Sequence, residues 1–175
     1  MAASTKSRTF TRYQVFLIVV LAFMQFTVIL DFMVMAPLGA ILMPALSITP
    51  QQFSHVVMAY AIAAGISGLL AAGFADRYDR KKLLLFFYVG FIAGTLFCGL
   101  APTYETLLLA RILTGIFGGV VGSVTMAIVT DVFAPQVRGR VMGFVQMAFA
   151  MSQAFGIPLG IVLADETEIG FVNER

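Results

Sequence analysis

The stretch QVFLIVVLAFMQFTVILDFMVMAPLGAIL at residues 14–42 decides the fold, because its only charged residue is Asp31. A helix needs about 20 apolar residues to cross roughly 30 Å of hydrocarbon, and this run exceeds that length. Basic residues precede the run, as they precede the apolar core of a signal peptide. The run is too long for a signal peptide, however, and lacks a clear small-residue cleavage site. It is therefore predicted to be a retained first transmembrane helix.

The composition of the chain indicates the same class of protein. Of its 175 residues, 60% are hydrophobic and 11% are charged, and the mean hydropathy is +0.96. These charges are too few to form the surface of a soluble domain. Four more apolar runs follow the first, and none alternates as a membrane β-strand does. We predict an all-α membrane protein with helices at about 14–42, 56–74, 83–100, 107–129 and 141–164, preceded by a segment at 1–13 and followed by a polar tail at 165–175.

The distribution of Lys and Arg predicts how these helices are oriented. The segment before the first helix has three basic residues, the second-to-third connection has four and the fourth-to-fifth connection has two. The other two connections have none. The positive-inside rule therefore predicts a multi-pass protein whose N-terminus is cytoplasmic.

Two charged side chains, Asp31 and Arg111, lie well inside the predicted spans. An isolated charge at the bilayer centre costs about 2.5–3.5 kcal/mol on insertion scales, so such residues usually face a partner or a water-filled cavity. At about 1.5 Å per residue, both lie roughly 25–30 Å above the cytoplasmic face. They are predicted to pair, with Asp31 as a proton or cationic-substrate site and Arg111 as its electrostatic partner. The alternative is a static ion pair that holds helices one and four together.

The connection between helices two and three reads GFADRYDRKKL at residues 73–83. Gly73 would allow close packing or a turn, and Asp76 and Arg80 would form an ion pair if the stretch were helical. The connection resembles the signature loop of the major facilitator superfamily, which has a Gly followed by Asp-Arg and then Arg-Lys. Asp79 stands where the family pattern has Gly, and its carboxylate would compete for the neighbouring arginines. The resemblance implies a cytoplasmic gating motif made of Gly73, Asp76, Arg77, Arg80 and Lys81, with Asp131 at the inner end of helix four.

Two further segments resemble motifs of the same family. Arg111 with the glycines that follow it resembles the helix-four motif associated with proton coupling. The pairs Gly115/Gly119 and Gly118/Gly122 also have the spacing of close helix packing. In helix five, Gly156, Pro158 and Gly160 resemble the antiporter motif of exporters, although a packing kink at the proline is an alternative explanation.

The polar side chains Gln25, Gln146 and Gln153 lie inside predicted spans. The resemblance makes them candidates for lining the substrate cavity, because helices one, four and five help to form that cavity in the family. Hydrogen bonds between helices are the alternative for each.

The resemblance covers the first 164 residues and is strongest to the bacterial sugar-efflux and multidrug–proton antiporter branch. It implies the N-terminal half of a transporter in the plasma membrane, the bacterial inner membrane. The half is incomplete, because a six-helix bundle requires a sixth helix that the polar tail does not provide. The chain is therefore expected to be a natural truncation, a frameshift or an engineered fragment.

The expected function is secondary active transport, most simply proton-coupled efflux of a small organic solute or drug. The expected partners are that substrate, protons, the lipid bilayer and the missing C-terminal half. Uptake by a symporter or uniporter is one alternative, and a truncated membrane protein without transport activity is another. The sequence has no metalloprotease, nucleotide-loop or nucleophile–base motif, and its single cysteine forms no metal site. We therefore predict no enzyme activity, cofactor, metal or nucleic-acid partner.

Overall fold

A computed structural model describes the backbone of residues 10–173, and their side chains except those at positions 76, 157, 159 and 163–173. Within this part the chain forms five α-helices and no β-strand. All five are long and apolar enough to cross a membrane, which confirms the predicted class. The helices are α1 (Arg12–Ala45), α2 (Pro50–Phe74), α3 (Arg80–Gly99), α4 (Tyr104–Val132) and α5 (Pro135–Asn173), with a short 3-10 helix at Ala75–Arg77 between α2 and α3.

The helices extend beyond the apolar runs that predict them. The second helix begins at Pro50 rather than near residue 56, and the fourth begins at Tyr104 rather than near residue 107. The largest difference is in α5, which continues through residue 164 to Asn173, into the segment predicted to be a polar tail. Charged residues end an apolar span, but glutamate has a favourable helix propensity. The polar segment is therefore helical as far as Asn173.

Side-chain caps set the starts of four helices. Thr11, Thr49 and Thr103 each accept a hydrogen bond from the backbone N–H of the third residue that follows, and that residue's side chain bonds back to the threonine N–H. The carboxylate of Asp79 caps α3 by accepting from the N–H groups of Lys81 and Lys82 at 2.9 and 3.2 Å. These caps satisfy backbone donors that have no partner inside the helix.

Helix α4 forms the centre of the bundle, packing along α2 and α3, while α1 packs along α5. Glycines on α4 allow the closest approach. A Cβ atom on Gly115 would lie 2.5 Å from the Tyr60 carbonyl oxygen, and one on Gly119 would overlap the Ala64 carbonyl oxygen. The packing role predicted for these two is therefore confirmed. It is wrong for Gly122, where an added Cβ would have no atom within 4 Å.

Large apolar side chains cover the outside of the bundle. Leu69 is 80% exposed, and Phe23, Phe86, Leu96 and Phe155 are also exposed. A surface of this kind is unfavourable in water but matches the hydrocarbon of a bilayer. The chain is therefore a multi-pass membrane protein.

Candidate functional site

The structure places Asp31 of α1 and Arg111 of α4 in direct contact. The Arg111 Nη1 atom donates to Asp31 Oδ2 at 2.7 Å, and the two side chains are 7% and 8% exposed. The contact arises because α1 and α4 meet inside the bundle with the two residues at matching depth. A charged pair this well buried is stable only while each charge keeps its partner.

The rest of the Arg111 guanidinium is weakly compensated. Its Nη2 atom donates to the Met35 sulfur at 3.0 Å, which is a poor acceptor. Its Cζ atom lies 5.9 Å from the centre of the Tyr60 ring. Its Nε atom is buried without a hydrogen-bond partner among the described residues. Protonation of Asp31 would therefore remove the only carboxylate that holds this cation in the described part of the chain.

A cavity of about 560 Å³ lies between α1, α3 and α4, with Asp31 and Arg111 in its wall. The wall is mostly apolar, but three hydroxyl side chains also line it. The hydroxyls of Thr27 and Tyr88 are 3.1 Å apart, and that of Thr95 is buried without a partner in the part of the chain described. The ion pair therefore borders open space and is not enclosed on all sides by packed side chains.

A second ion pair joins the start of α3 to the end of α4. The Arg80 Nε atom lies 2.6 Å from Asp131 Oδ2, and the two side chains are 24% and 50% exposed. This contact unites two residues of the predicted gating motif, while Arg77 and Lys81 are exposed. The Asp76 side chain lies outside the described residues. Gly73 is not needed for close packing, because a Cβ there would meet no described atom within 4 Å and its φ angle is not positive.

The loop that carries this motif is not one continuous helix. Helix α2 ends at Phe74, and Tyr78 and Asp79 are extended before α3 begins at Arg80. Asp76 and Arg80 therefore do not lie on one continuous helix. The Asp79 carboxylate caps α3 through its Oδ1 atom, and its competition for the neighbouring arginines stays a prediction. An aspartate immediately before a helix is a recognised cap signal.

The glycines of the predicted antiporter motif face α1. A Cβ on Gly156 would lie 3.1 Å from the Leu30 side chain, and one on Gly160 would overlap the Pro37 ring. Pro158 is exposed within α5. The two glycines therefore allow α5 to approach α1 closely.

The three glutamine candidates do not line the cavity beside Asp31. Gln146 and Gln153 are exposed on α5, and the Gln25 amide oxygen is buried without a partner among the described residues. Met35 and Tyr60, which contact Arg111, were not predicted from the sequence. Nothing in the spacing of the apolar runs shows which side chains on neighbouring helices meet.

The sequence profile of the Major Facilitator Superfamily matches residues 21–171 of this chain. This chain belongs to the Major Facilitator Superfamily. The superfamily consists of transporters, so the prediction that the chain is not an enzyme agrees with its membership.

Curated relatives within the superfamily are named for different functions. "Multidrug resistance protein 3" of Bacillus subtilis is 31% identical over 114 residues, which cover 65% of this chain and 22% of that protein. The "Vacuolar membrane amino acid uptake transporter fnx2" of Schizosaccharomyces pombe is 33% identical over 123 residues, 69% of this chain and 21% of that protein. The chain therefore spans about a fifth of the length of these relatives.

A solved structure has the same fold. It is the inward-facing, occupied form of a bacterial homologue of the human lysosomal transporter Spinster, with a TM-score of 0.75 and 22% identity. The match covers 85% of this chain and 33% of that one. The five helices are therefore arranged as in part of that structure.

Proposed function

We propose that this chain is the N-terminal part of a proton-coupled transporter that exports a small organic solute or drug. The observation that carries the proposal is the buried Asp31–Arg111 pair beside a cavity. Adding a proton to this carboxylate would remove the charge that compensates the buried Arg111 guanidinium. That change is what couples a proton to the movement of helices.

In the proposed cycle, Asp31 binds a proton when the cavity is open to the side of higher proton concentration. The neutral acid no longer attracts Arg111, which weakens the contact between α1 and α4. The two halves of the complete transporter then rock around a midplane site. The C-terminal half, absent from this sequence, supplies the other wall of the substrate cavity. Gln25, Gln146 and Gln153 are candidates for the part of that cavity that lies away from Asp31.

We assign the Arg80–Asp131 pair to the cytoplasmic gate. In the proposed orientation, the N-terminus and the basic connections face the cytoplasm of a bacterium, with the bundle in its inner membrane. An ion pair at this end holds α3 against α4 in one state of the transporter and opens in the other. Gly73, Asp76, Arg77 and Lys81 belong to the same gate.

Export is the favoured direction for two reasons. The relative from B. subtilis is named for multidrug resistance. The Gly156-Pro158-Gly160 segment also resembles the motif of exporters and packs against α1, the helix that carries Asp31.

Uptake is the second candidate, because fnx2, the relative from S. pombe, is named as an amino acid uptake transporter. Proteoliposomes that contain the complete transporter separate the two directions. Accumulation of substrate in proteoliposomes that are more acidic inside supports export by exchange for protons. Accumulation in proteoliposomes that are more acidic outside supports symport.

The proton role of Asp31 is tested by Asp31→Asn in the complete transporter. Gradient-driven transport should fall by about two orders of magnitude, as losses of an essential proton-transfer group do. Substrate counterflow without a gradient should persist, because that exchange needs no net proton movement.

Asp79→Asn is the matched control for this experiment. It makes the same chemical change outside the membrane, and asparagine keeps the capping role, so transport should be unchanged. Gradient-driven transport that survives Asp31→Asn at the wild-type rate would remove Asp31 from the mechanism.

A further inference from the structure

Two glycines that follow Arg111 leave room for a tyrosine of the neighbouring helix. Tyr60 of α2 is 6% exposed. A Cβ on Gly115 would lie 2.5 Å from its carbonyl oxygen, and a Cβ on Gly118 would lie 3.0 Å from its hydroxyl oxygen. These glycines lie one and two helical turns after Arg111. The Tyr60 backbone can lie this close to α4 because Gly115 carries no side chain, and Gly118 leaves room for the Tyr60 hydroxyl.

The Tyr60 ring, packed against these glycines, lies beside the Arg111 guanidinium. Phe32 of α1 stacks on the ring with centroids 5.5 Å apart and an interplanar angle of 28°. The Arg111 Cζ atom lies 5.9 Å from the ring centre, within the range of a cation–π interaction. Among the described residues, Asp31 of α1 and Cys98 of α3 also interact electrostatically with Tyr60. Tyr60 therefore belongs to the same cluster as the ion pair, although it contributes no charge.

We propose that Tyr60 is a positioning residue that holds the Arg111 guanidinium in place while Asp31 is protonated. The inference rests on the proposed proton role of Asp31. When a proton adds to the carboxylate, its negative charge is lost, while the contacts of the cation with the Met35 sulfur and the Tyr60 ring remain. An aromatic face attracts a cation through its quadrupole, whether or not Asp31 is charged. Arg111 then stays where the carboxylate can recapture it after the proton leaves.

The experiment uses the 175-residue chain in lipid nanodiscs and needs no transport. Asp31→Asn mimics the protonated state at every pH. The readout is hydrogen exchange of the Arg111 Nε–H group, followed by NMR on ¹⁵N-arginine and assigned by loss of the signal in Arg111→Lys. In Asp31→Asn alone, and with Tyr60→Phe added, exchange should stay slow because the ring is retained. With Tyr60→Leu added, exchange should accelerate about tenfold, the scale of a desolvated cation–π contact.

Tyr88→Leu in the Asp31→Asn background is the matched control. Tyr88 lines the same cavity but bonds to Thr27 of α1, so its loss should leave Arg111 exchange unchanged. Where Tyr60→Leu fails to fold, Tyr60→pentafluorophenylalanine tests the same point, because it keeps the ring shape and inverts the quadrupole. It should also accelerate exchange.

Three outcomes would overturn the inference: fast exchange in Asp31→Asn alone, slow exchange after the ring is lost or its quadrupole inverted, or fast exchange with Tyr60→Phe. None of them depends on transport, so the inference about Tyr60 can fail while the proposed proton role of Asp31 stands, and the reverse is also true.

Discussion

Arg111 is buried with one carboxylate partner in the described part of the chain, so the stability of the helix bundle depends on Asp31. Asp31→Leu leaves the guanidinium uncompensated and should lower the free energy of unfolding by about 3–5 kcal/mol. The double variant Asp31→Leu/Arg111→Met removes both charges and should recover most of that loss. The free energy of unfolding of both variants is measured in mixed micelles, with SDS as denaturant. A double variant as unstable as the single one would mean that the pair contributes by shape rather than by charge.

The sequence predicted the depth of this pair but not its surroundings. Helical rise places Asp31 and Arg111 at one level from the count of residues alone. The contacts of Arg111 with Met35 and Tyr60 depend on how each helix is rotated about its axis. In lipid, both the outward and the inward faces of a helix are apolar, so hydropathy does not reveal this rotation.

At the scale of helices, the glycines of α4 illustrate the same limit. The spacing of Gly115/Gly119 and Gly118/Gly122 is identical in sequence. In the structure, Gly119 meets the backbone of α2, whereas a Cβ on Gly122 would meet nothing within 4 Å. Only the three-dimensional packing distinguishes the members of the two pairs.

Alanine substitutions at these two positions should have opposite effects. Gly119→Ala forces α2 and α4 apart and should lower the free energy of unfolding by about 1–3 kcal/mol. Gly122→Ala adds a methyl group in open space and should be neutral or stabilising by up to about 1 kcal/mol, since alanine favours the helix. SDS unfolding checks both, and equal effects would contradict the assigned helix rotation.

The start of α3 depends on a single cap. Asp79→Ala removes the acceptor for the N–H groups of Lys81 and Lys82 and should cost about 1 kcal/mol. Asp79→Asn keeps an acceptor and should retain most of the stability. Amide hydrogen exchange at residues 81 and 82 reports the cap directly. Protection that persists in Asp79→Ala would show that another group satisfies these donors.

For the molecule as a whole, the proposed orientation places Lys82 and Pro102 on opposite sides of the membrane. In a Cys98→Ala background, a membrane-impermeant maleimide added to intact bacteria should label Pro102→Cys and not Lys82→Cys. After the membrane is permeabilised, both should react. The reverse pattern would place the basic connections outside the cell.

The number of membrane spans followed from the sequence, and their pairing did not. Five apolar runs predicted five helices. The central place of α4 and the association of α1 with α5 became visible only in the structure. Hydropathy measures how each helix partitions into lipid, which is nearly the same for every neighbour it could have. Pairing depends on small residues and polar contacts, such as the hydrogen bond of the Ser152 hydroxyl to the Phe26 carbonyl at 3.0 Å.

At Gly119, main chain meets main chain, since nothing but hydrogen separates α4 from the Ala64 carbonyl of α2. At such a backbone contact, no side chain can change its rotamer to accommodate sliding or tilting between the two helices. If the transporter alternates between states, α2 and α4 move together as one rigid body. Spin labels attached one to each of these helices should then report a single, unbroadened separation throughout the cycle, while labels on α1 and α4 report two.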